Sequence, residues 1–349
     1  MLFIRRFKLQ HRYALINAFK ATIASLIGYV VGHSLGDWLN IPAMYAWIVV
    51  TILIVMSSQP NLGGATGKAV MRIAGTFWSV VIAIIILLLL PDFRLTQIML
   101  CLIFIFIGVY IATAFIKYTY AGLLGALTLG IILFAKSPSI TFALSRGLEV
   151  LLGIVIAVVI TRFLFPIKAS DRILHSYANS LFSIGKLHLK LTEGGRHDWL
   201  LSEIFSHFNE QISLQKEIAY EPEKVRLDHY CQTTYLMRQL YRYVCVVYEY
   251  IETYPEKRQR FTQEAEFTRL HTMFSKLLHR FADTFETHRL DENIDITAFQ
   301  SQLEAFKTVF NMPREYVHVN TLIFSLDRLV STLKEMHQMQ QQLFSPRKG

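Results

Sequence analysis

The 349-residue sequence predicts an all-α protein in two parts, a six-helix transmembrane domain over residues 1–166 and a cytoplasmic helical bundle over 167–349. Three observations carry that expectation. Apolar segments fall at about 19–36, 43–57, 70–90, 95–115, 118–134 and 142–165, most of them near the ~20 residues that cross a bilayer. Charge is divided unevenly: residues 1–166 hold 12 Lys and Arg against three acids, Asp37, Asp92 and Glu149, whereas residues 167–349 hold 23 of each sign. After Pro166 the apolar runs give way to mixed-charge stretches with helical spacing.

The first segment follows a basic lead, "MLFIRRFKLQHRYALINAFK", with no short apolar core and small-residue cleavage site behind it. It reads as an uncleaved first membrane helix. Segments two and five are shorter than the others, and the fifth carries Gly122, Gly125 and Gly130. With the amino terminus in the cytoplasm, eleven of the fourteen basic residues up to Arg172 fall inside, and Arg94, Lys136 and Arg146 fall outside. This is the positive-inside pattern, and it puts both termini in the cytoplasm. The net charge of +9 therefore flanks apolar segments rather than forming a basic patch on a soluble domain, so no nucleic-acid partner is expected.

In the second half, helices are expected near 168–193, 197–220, 223–254, 258–289, 296–311 and 316–343, punctuated by "GG" at 194–195, "EPE" at 221–223 and "MP" at 312–313. Tyr241, Val244, Tyr248 and Ile251 share one helix face and read as bundle core with wet hydroxyl tips. The closing "QMQQQLFSPRKG" is expected to fray. Cys101 lies in an apolar run, and Cys231 and Cys245 are 14 residues apart on one helix, about 21 Å along its axis and too far to bridge. The twelve histidines show no HExxH or paired Cys/His spacing, and "NLGGATGK" lacks the full phosphate-loop pattern. No metal, cofactor, ATP drive or enzyme activity is expected.

The membrane half repeats itself. A shift of 74 or 75 residues carries Lys20-x-Thr22 onto Arg94-x-Thr96, Tyr45-Ala46 onto Tyr120-Ala121 and Arg72 onto Arg146. Three spans per unit would invert the second unit relative to the first. That is an architecture of secondary transporters, in which equivalent short or Gly-interrupted spans mark the site. Arg146 and Glu149 stand inside the sixth apolar run at i, i+3 and can pair. Intramembrane charges are costly enough to suggest function. Mutual neutralisation and snorkelling of the arginine are the structural alternatives.

Two motifs resemble the fusaric-acid-resistance-like family, which includes aromatic acid exporters. One is "QPNLGGATGKAVMRIAGT", with Pro60, Gly64, Arg72, Gly75 and Thr76. The other is Arg146-x-x-Glu149-x-x-x-Gly153, ending at Pro166. The resemblance implies a bacterial-type inner-membrane protein that exports organic, often aromatic, carboxylates on the proton gradient, without a cofactor. It also implies a homodimer in the bilayer, because longer relatives carry the unit twice. A further likeness to plant aluminium-activated malate channels leaves an anion channel as one alternative. A non-transporting scaffold that recruits partners through its soluble half is another.

An exported carboxylate needs a cation in a dry setting, and arginine stays charged and pairs two oxygens at once. Arg72 and Arg146 are the expected anion ligands, Lys20 and Arg94 the approach residues, Thr76 a hydroxyl donor and Gly75 a point of close backbone approach. Glu149 is the expected proton carrier, the one acid inside a span. Trp47, Phe77, Trp78, Tyr45 and Tyr120 are available as ring platforms or interfacial anchors. Gly28, Gly32 and Gly36 form a close-packing face that fits either an internal seam or a dimer seam, and His33 within it reads as a hydrogen-bonded packing residue.

Overall fold

The computed structural model describes residues 2–56, 61–190, 197–253, 263–291, 294–309 and 317–344, with twelve α-helices among them. It divides into two compact units, Met1–Lys168 and Ala169–Gly349. Pro60 and the "GG" and "MP" breaks lie outside the described residues.

The first unit holds α1 (Leu2–Leu39), α2 (Met44–Met56), α3 (Leu62–Leu89), α4 (Arg94–Ala114), α5 (Thr119–Leu133) and α6 (Ile140–Phe163). Five segments are long and apolar enough to cross a bilayer: His11–Leu39, Leu62–Leu89, Arg94–Ala114, Ile116–Leu133 and Ile140–Phe163. The α2 helix is apolar, but its 13 residues rise only about 20 Å, short of the ~30 Å hydrocarbon layer. Two helices begin earlier than the apolar runs suggested. No Gly or Pro interrupts the basic lead, so α1 forms from Leu2 onward. Asn61 takes the N-cap position of α3, and Leu62 N–H donates to the Ile167 carbonyl at 2.9 Å, which starts that helix eight residues before the expected span.

The same packing scheme appears twice. The α1 helix packs on α2 and α4 on α5; α2 packs on α6 and α5 on α3; α3 and α6 pack on each other. Exchanging the first three helices with the last three preserves every one of these pairings. Single contacts obey the exchange too. The Ser79 hydroxyl of α3 donates to the Gly125 carbonyl of α5 at 2.6 Å, while Gly153 of α6 lies against Thr51 of α2. The 74-residue shift carries Thr51 onto Gly125 and Ser79 onto Gly153.

Glycines permit these close approaches. A Cβ on Gly32 would come within 2.5 Å of the Tyr45 Cα, and Gly28 and Gly36 likewise face α2. The Gly28/Gly32/Gly36 face is thus an internal seam within one chain. The α1–α2 turn closes with Asn40 and Ala43 at positive φ, 53° and 58°.

The second unit comprises α7 (Ala169–Leu189), α8 (Asp198–Ile218), α9 (Leu227–Thr253), α10 (Ala265–Thr287), α11 (Ile296–Val309) and α12 (Val317–Phe344). The α7 helix is central, packing on α8, α9 and α10, while α12 lies along α9. Glu221 of the "EPE" break is buried and caps α7, its carboxylate accepting from Ala169 N–H at 2.7 Å and Ser170 N–H at 3.2 Å. Tyr177 is wholly buried, and its hydroxyl donates to the Tyr230 carbonyl at 2.6 Å beside Thr234. Val244 and Ile251 enter the core, with Tyr241 and Tyr248 half-buried against it. The expected fraying is not seen as far as Phe344. The Gln340 amide donates to the Phe281 carbonyl at 2.9 Å, and Arg226 donates to the Leu343 carbonyl. His188 is buried with its ring tilted on His271 at 4.2 Å. Burial pushes both imidazoles below the usual histidine value, His188 well below it.

Two outcomes follow. Gly32→Leu would force α1 and α2 apart, and overpacking of this kind costs about 1–3 kcal/mol or more; the detergent-solubilised variant should unfold at a lower temperature than the wild type. His188 is neutral when folded, whereas the unfolded chain takes up protons below about pH 6.5. Stability of the second unit is therefore fully present above that pH and declines below it. Hydrogen-exchange protection of α7 and α10, corrected for intrinsic rates, should fall between pH 6.5 and 5 in the wild type and fall less in His188→Phe, which keeps only the buried His271.

Candidate functional site

Charged side chains buried in the first unit number four among the described residues: Lys20, Arg72, Arg146 and Glu149. Three are cations and one is an acid. The remaining acids of the unit lie elsewhere, Asp37 in an exposed pair with His33 at 2.9 Å and Asp92 exposed. Burying an unpaired ion costs several kcal/mol even after relaxation, so this excess must serve something.

The repeat places the two arginines equivalently. Arg72 lies 17 residues before the end of α3, and Arg146 lies 17 before the end of α6, about 25 Å along each helix. Each is met by the short helix of the opposite half. Trp47 of α2 covers the Arg146 guanidinium, with its ring centroid 4.3 Å from Cζ. Tyr120 of α5 is within electrostatic reach of Arg72, and its hydroxyl donates to the Ile54 carbonyl at 3.3 Å. Phe142, one turn before Arg146, flanks the guanidinium at 4.7 Å. Two rings thus offer cation–π attraction to one desolvated cation.

The surroundings of the two arginines differ. Arg146 Nη1 lies 2.9 Å from Glu149 Oε2. The contact is Coulombic, since neither carboxylate oxygen has an aligned hydrogen-bond donor. The repeat shift puts Gly75 where the other half has Glu149, so Arg72 lacks the acid one turn away. Its Nε and Nη1 are buried without hydrogen-bond partners, as are Lys20 Nζ and Thr76 Oγ1. These unpaired donors belong to three of the residues singled out from sequence.

Other expected residues have structural work. Arg94 donates to the carbonyls of Leu133 at 2.7 Å and Ala135 at 2.8 Å, capping the end of α5, and reaches Gln97 at 3.2 Å. Gly75 receives the backbone of α5, where a Cβ would meet the Ala121 carbonyl at 2.5 Å. Tyr45 packs with Tyr29 and His33 at the α1–α2 end, and Phe77 and Trp78 face outward. Sequence reasoning overlooked Phe142, although its place four residues before Arg146 was a usable signal.

Residues 23–160 match the family model for fusaric acid resistance protein-like sequences. That stretch is similar to fusaric acid resistance protein-like domains. It covers most of the six-helix unit and all of Arg72, Arg146 and Glu149, and the family supports a membrane transport or efflux role for it. No curated protein matches the chain.

Disrupting the paired site and the unpaired site should act oppositely on stability. Breaking a buried pair strands its partner at a cost of about 3–5 kcal/mol, so Glu149→Gln should lower the thermal midpoint and the Arg146→Gln/Glu149→Gln double variant should regain part of the loss. Arg72→Met removes an unpaired buried cation and should raise the midpoint. Thermal unfolding of the four purified proteins in detergent checks the signs.

Proposed function

We infer that the fusaric acid resistance protein-like unit exports organic carboxylates, driven by the proton gradient, with Arg72 as the principal anion ligand. The observation that supports this reading is the buried charge imbalance, in which Lys20 and Arg72 lack any acidic partner among the described residues. A carboxylate arriving at Arg72 supplies the missing negative charge and satisfies Nε and Nη1, with Thr76 Oγ1 as a further donor. Charge-assisted hydrogen bonds of this kind are worth about 1.5–3 kcal/mol each. Arg94 is left out of the site because its guanidinium already serves the end of α5.

Arg146 and Glu149 form the coupling element of this reading. In the structure Glu149 holds the place at Arg146 that a substrate carboxylate would take. Substrate at Arg146 displaces Glu149; once substrate has left on the outer side, Glu149 accepts a proton there, carries it inward and gives it up to the cytoplasm, which restores the pair. The domain works in a bacterial-type inner membrane with both termini in the cytoplasm. A homodimer is the proposed working unit.

Proteoliposomes loaded with radiolabelled benzoate, with and without an imposed pH gradient, test the proposal. Wild-type protein should show gradient-accelerated flux above the protein-free leak, and Arg72→Gln should reduce it on the order of 100-fold, the equivalent of about 2.7 kcal/mol. Glu149→Gln should abolish the gradient-driven component and spare benzoate exchange. Unchanged flux in folded Arg72→Gln refutes the binding role, and equal loss of both modes in Glu149→Gln refutes the coupling role. Currents that follow the anion gradient without proton movement would indicate a channel instead.

A further inference from the structure

An arginine can be held by groups that consume its N–H donors or by groups that leave them free. Arg94 is held the first way, donating to the carbonyls of Leu133 and Ala135. Arg146 is held the second way. Its Cζ lies over the rings of Trp47 at 4.3 Å and Phe142 at 4.7 Å, yet its Nε and Nη1 have no hydrogen-bond partner. A ring face attracts the charge of a guanidinium and leaves the N–H edge to whatever carboxylate arrives.

The repeat shows that this arrangement belongs to one arginine. Shifts of 74 and 75 residues put Lys68, Gly75 and Gly122 where the other half has Phe142, Glu149 and Trp47. None of the three companions of Arg146 is reproduced in kind beside Arg72. In the proposed cycle Arg146 exchanges one carboxylate for another, and it passes through a stage with neither, when substrate has left and Glu149 carries the proton. A buried cation without a partner is costly, and Arg146 has a way out. It lies six residues after the start of α6, about 9 Å along the axis, close enough to that end for a long side chain to snorkel to water. Phe142 stands on α6 itself, one turn towards that exit. Trp47 stands on α2, whose Ile48 and Thr51 are buried, so its ring ties the guanidinium to the neighbouring helix.

We propose that Trp47 is a positioning residue, whose ring keeps the Arg146 guanidinium in the site while neither Glu149 nor substrate pairs with it. The proposal rests on the assignment of Arg146 and Glu149 as the coupling element. Trp47 is half-buried, so its replacement leaves the buried side of α2 intact.

Glu149→Gln fixes the stage without a carboxylate, and phenylglyoxal, which modifies guanidinium groups from water, reads where Arg146 then rests. With the full chain in proteoliposomes, mass spectrometry of the peptide bearing Arg146 should show slow modification in Glu149→Gln. Modification should stay slow in Glu149→Gln/Trp47→Phe, which keeps a ring face. In Glu149→Gln/Trp47→Leu it should be faster on the order of tenfold, as loss of a desolvated cation–π contact implies. The half-saturating benzoate concentration for exchange should rise by a similar factor in that variant, because binding must first draw the arginine back. Trp47→Leu alone, with Glu149 still pairing Arg146, should change it by less than about twofold. Equal effects with and without Glu149 report packing and overturn the proposal, and so does unchanged modification of Arg146 in Glu149→Gln/Trp47→Leu. Faster modification with unchanged exchange supports the positioning role and refutes the earlier reading of Arg146 as an anion ligand. If the leucine variant fails to fold, Trp47→Met, which keeps more of the bulk without a ring face, is judged by the same criteria.

Discussion

The membrane unit depends on a crossed embrace, in which the short helix of each half packs against the third helix of the other. Small residues make this possible, because Ser79 meets Gly125 and Gly153 meets Thr51 at distances that a larger pair could not occupy. Lipid tails give little hydrophobic drive for helix association, so close van der Waals contact carries more of the stability than it would in water. The same contacts set the chemistry. They bring Trp47 over Arg146 and Tyr120 towards Arg72, fixing each cation among side chains from the opposite half.

Short helices inside an apolar layer leave their terminal carbonyls without water, and unsatisfied backbone groups are costly there. Both short helices have a dedicated donor. Asn17 donates to the Met56 carbonyl at 2.9 Å at the end of α2, and Arg94 serves the end of α5. An arginine at an expected outer boundary, unusual by charge topology, is explained by this capping. The repeat relates Arg94 to Lys20, yet the Lys20 ammonium is buried with no hydrogen-bond partner. Equivalent positions have thus diverged, one towards architecture and one towards an available charge.

Much of this was legible in the sequence, and the reason is scarcity. Charged residues are rare between residues 1 and 166, so the spacing of Lys20, Arg72, Arg94 and Arg146 exposed the repeat. In the second unit, alternation of apolar and charged residues placed helix limits within four residues of those found, except for the helix expected from 258, which is described from Ala265. Hydropathy could not locate the start of α1, whose basic lead is helical but not apolar, nor that of α3, whose first two turns are small and polar rather than strongly apolar. Glycine spacing marked a close-packing face without naming its partner, because Gly32 fits a helix of the same chain as readily as one from a neighbour.

The hydrogen bond from Leu62 to the Ile167 carbonyl ties the residues following α6 to the first turn of α3. It closes α3 to α6 into a loop of about a hundred residues, fastened by main-chain atoms that ordinary side-chain replacement leaves in place; of the common substitutions, proline at position 62 removes the donor. The helix bearing Arg72 is thereby leashed to the exit of the membrane unit. Any axial slide of α3 must carry this knot along or break it.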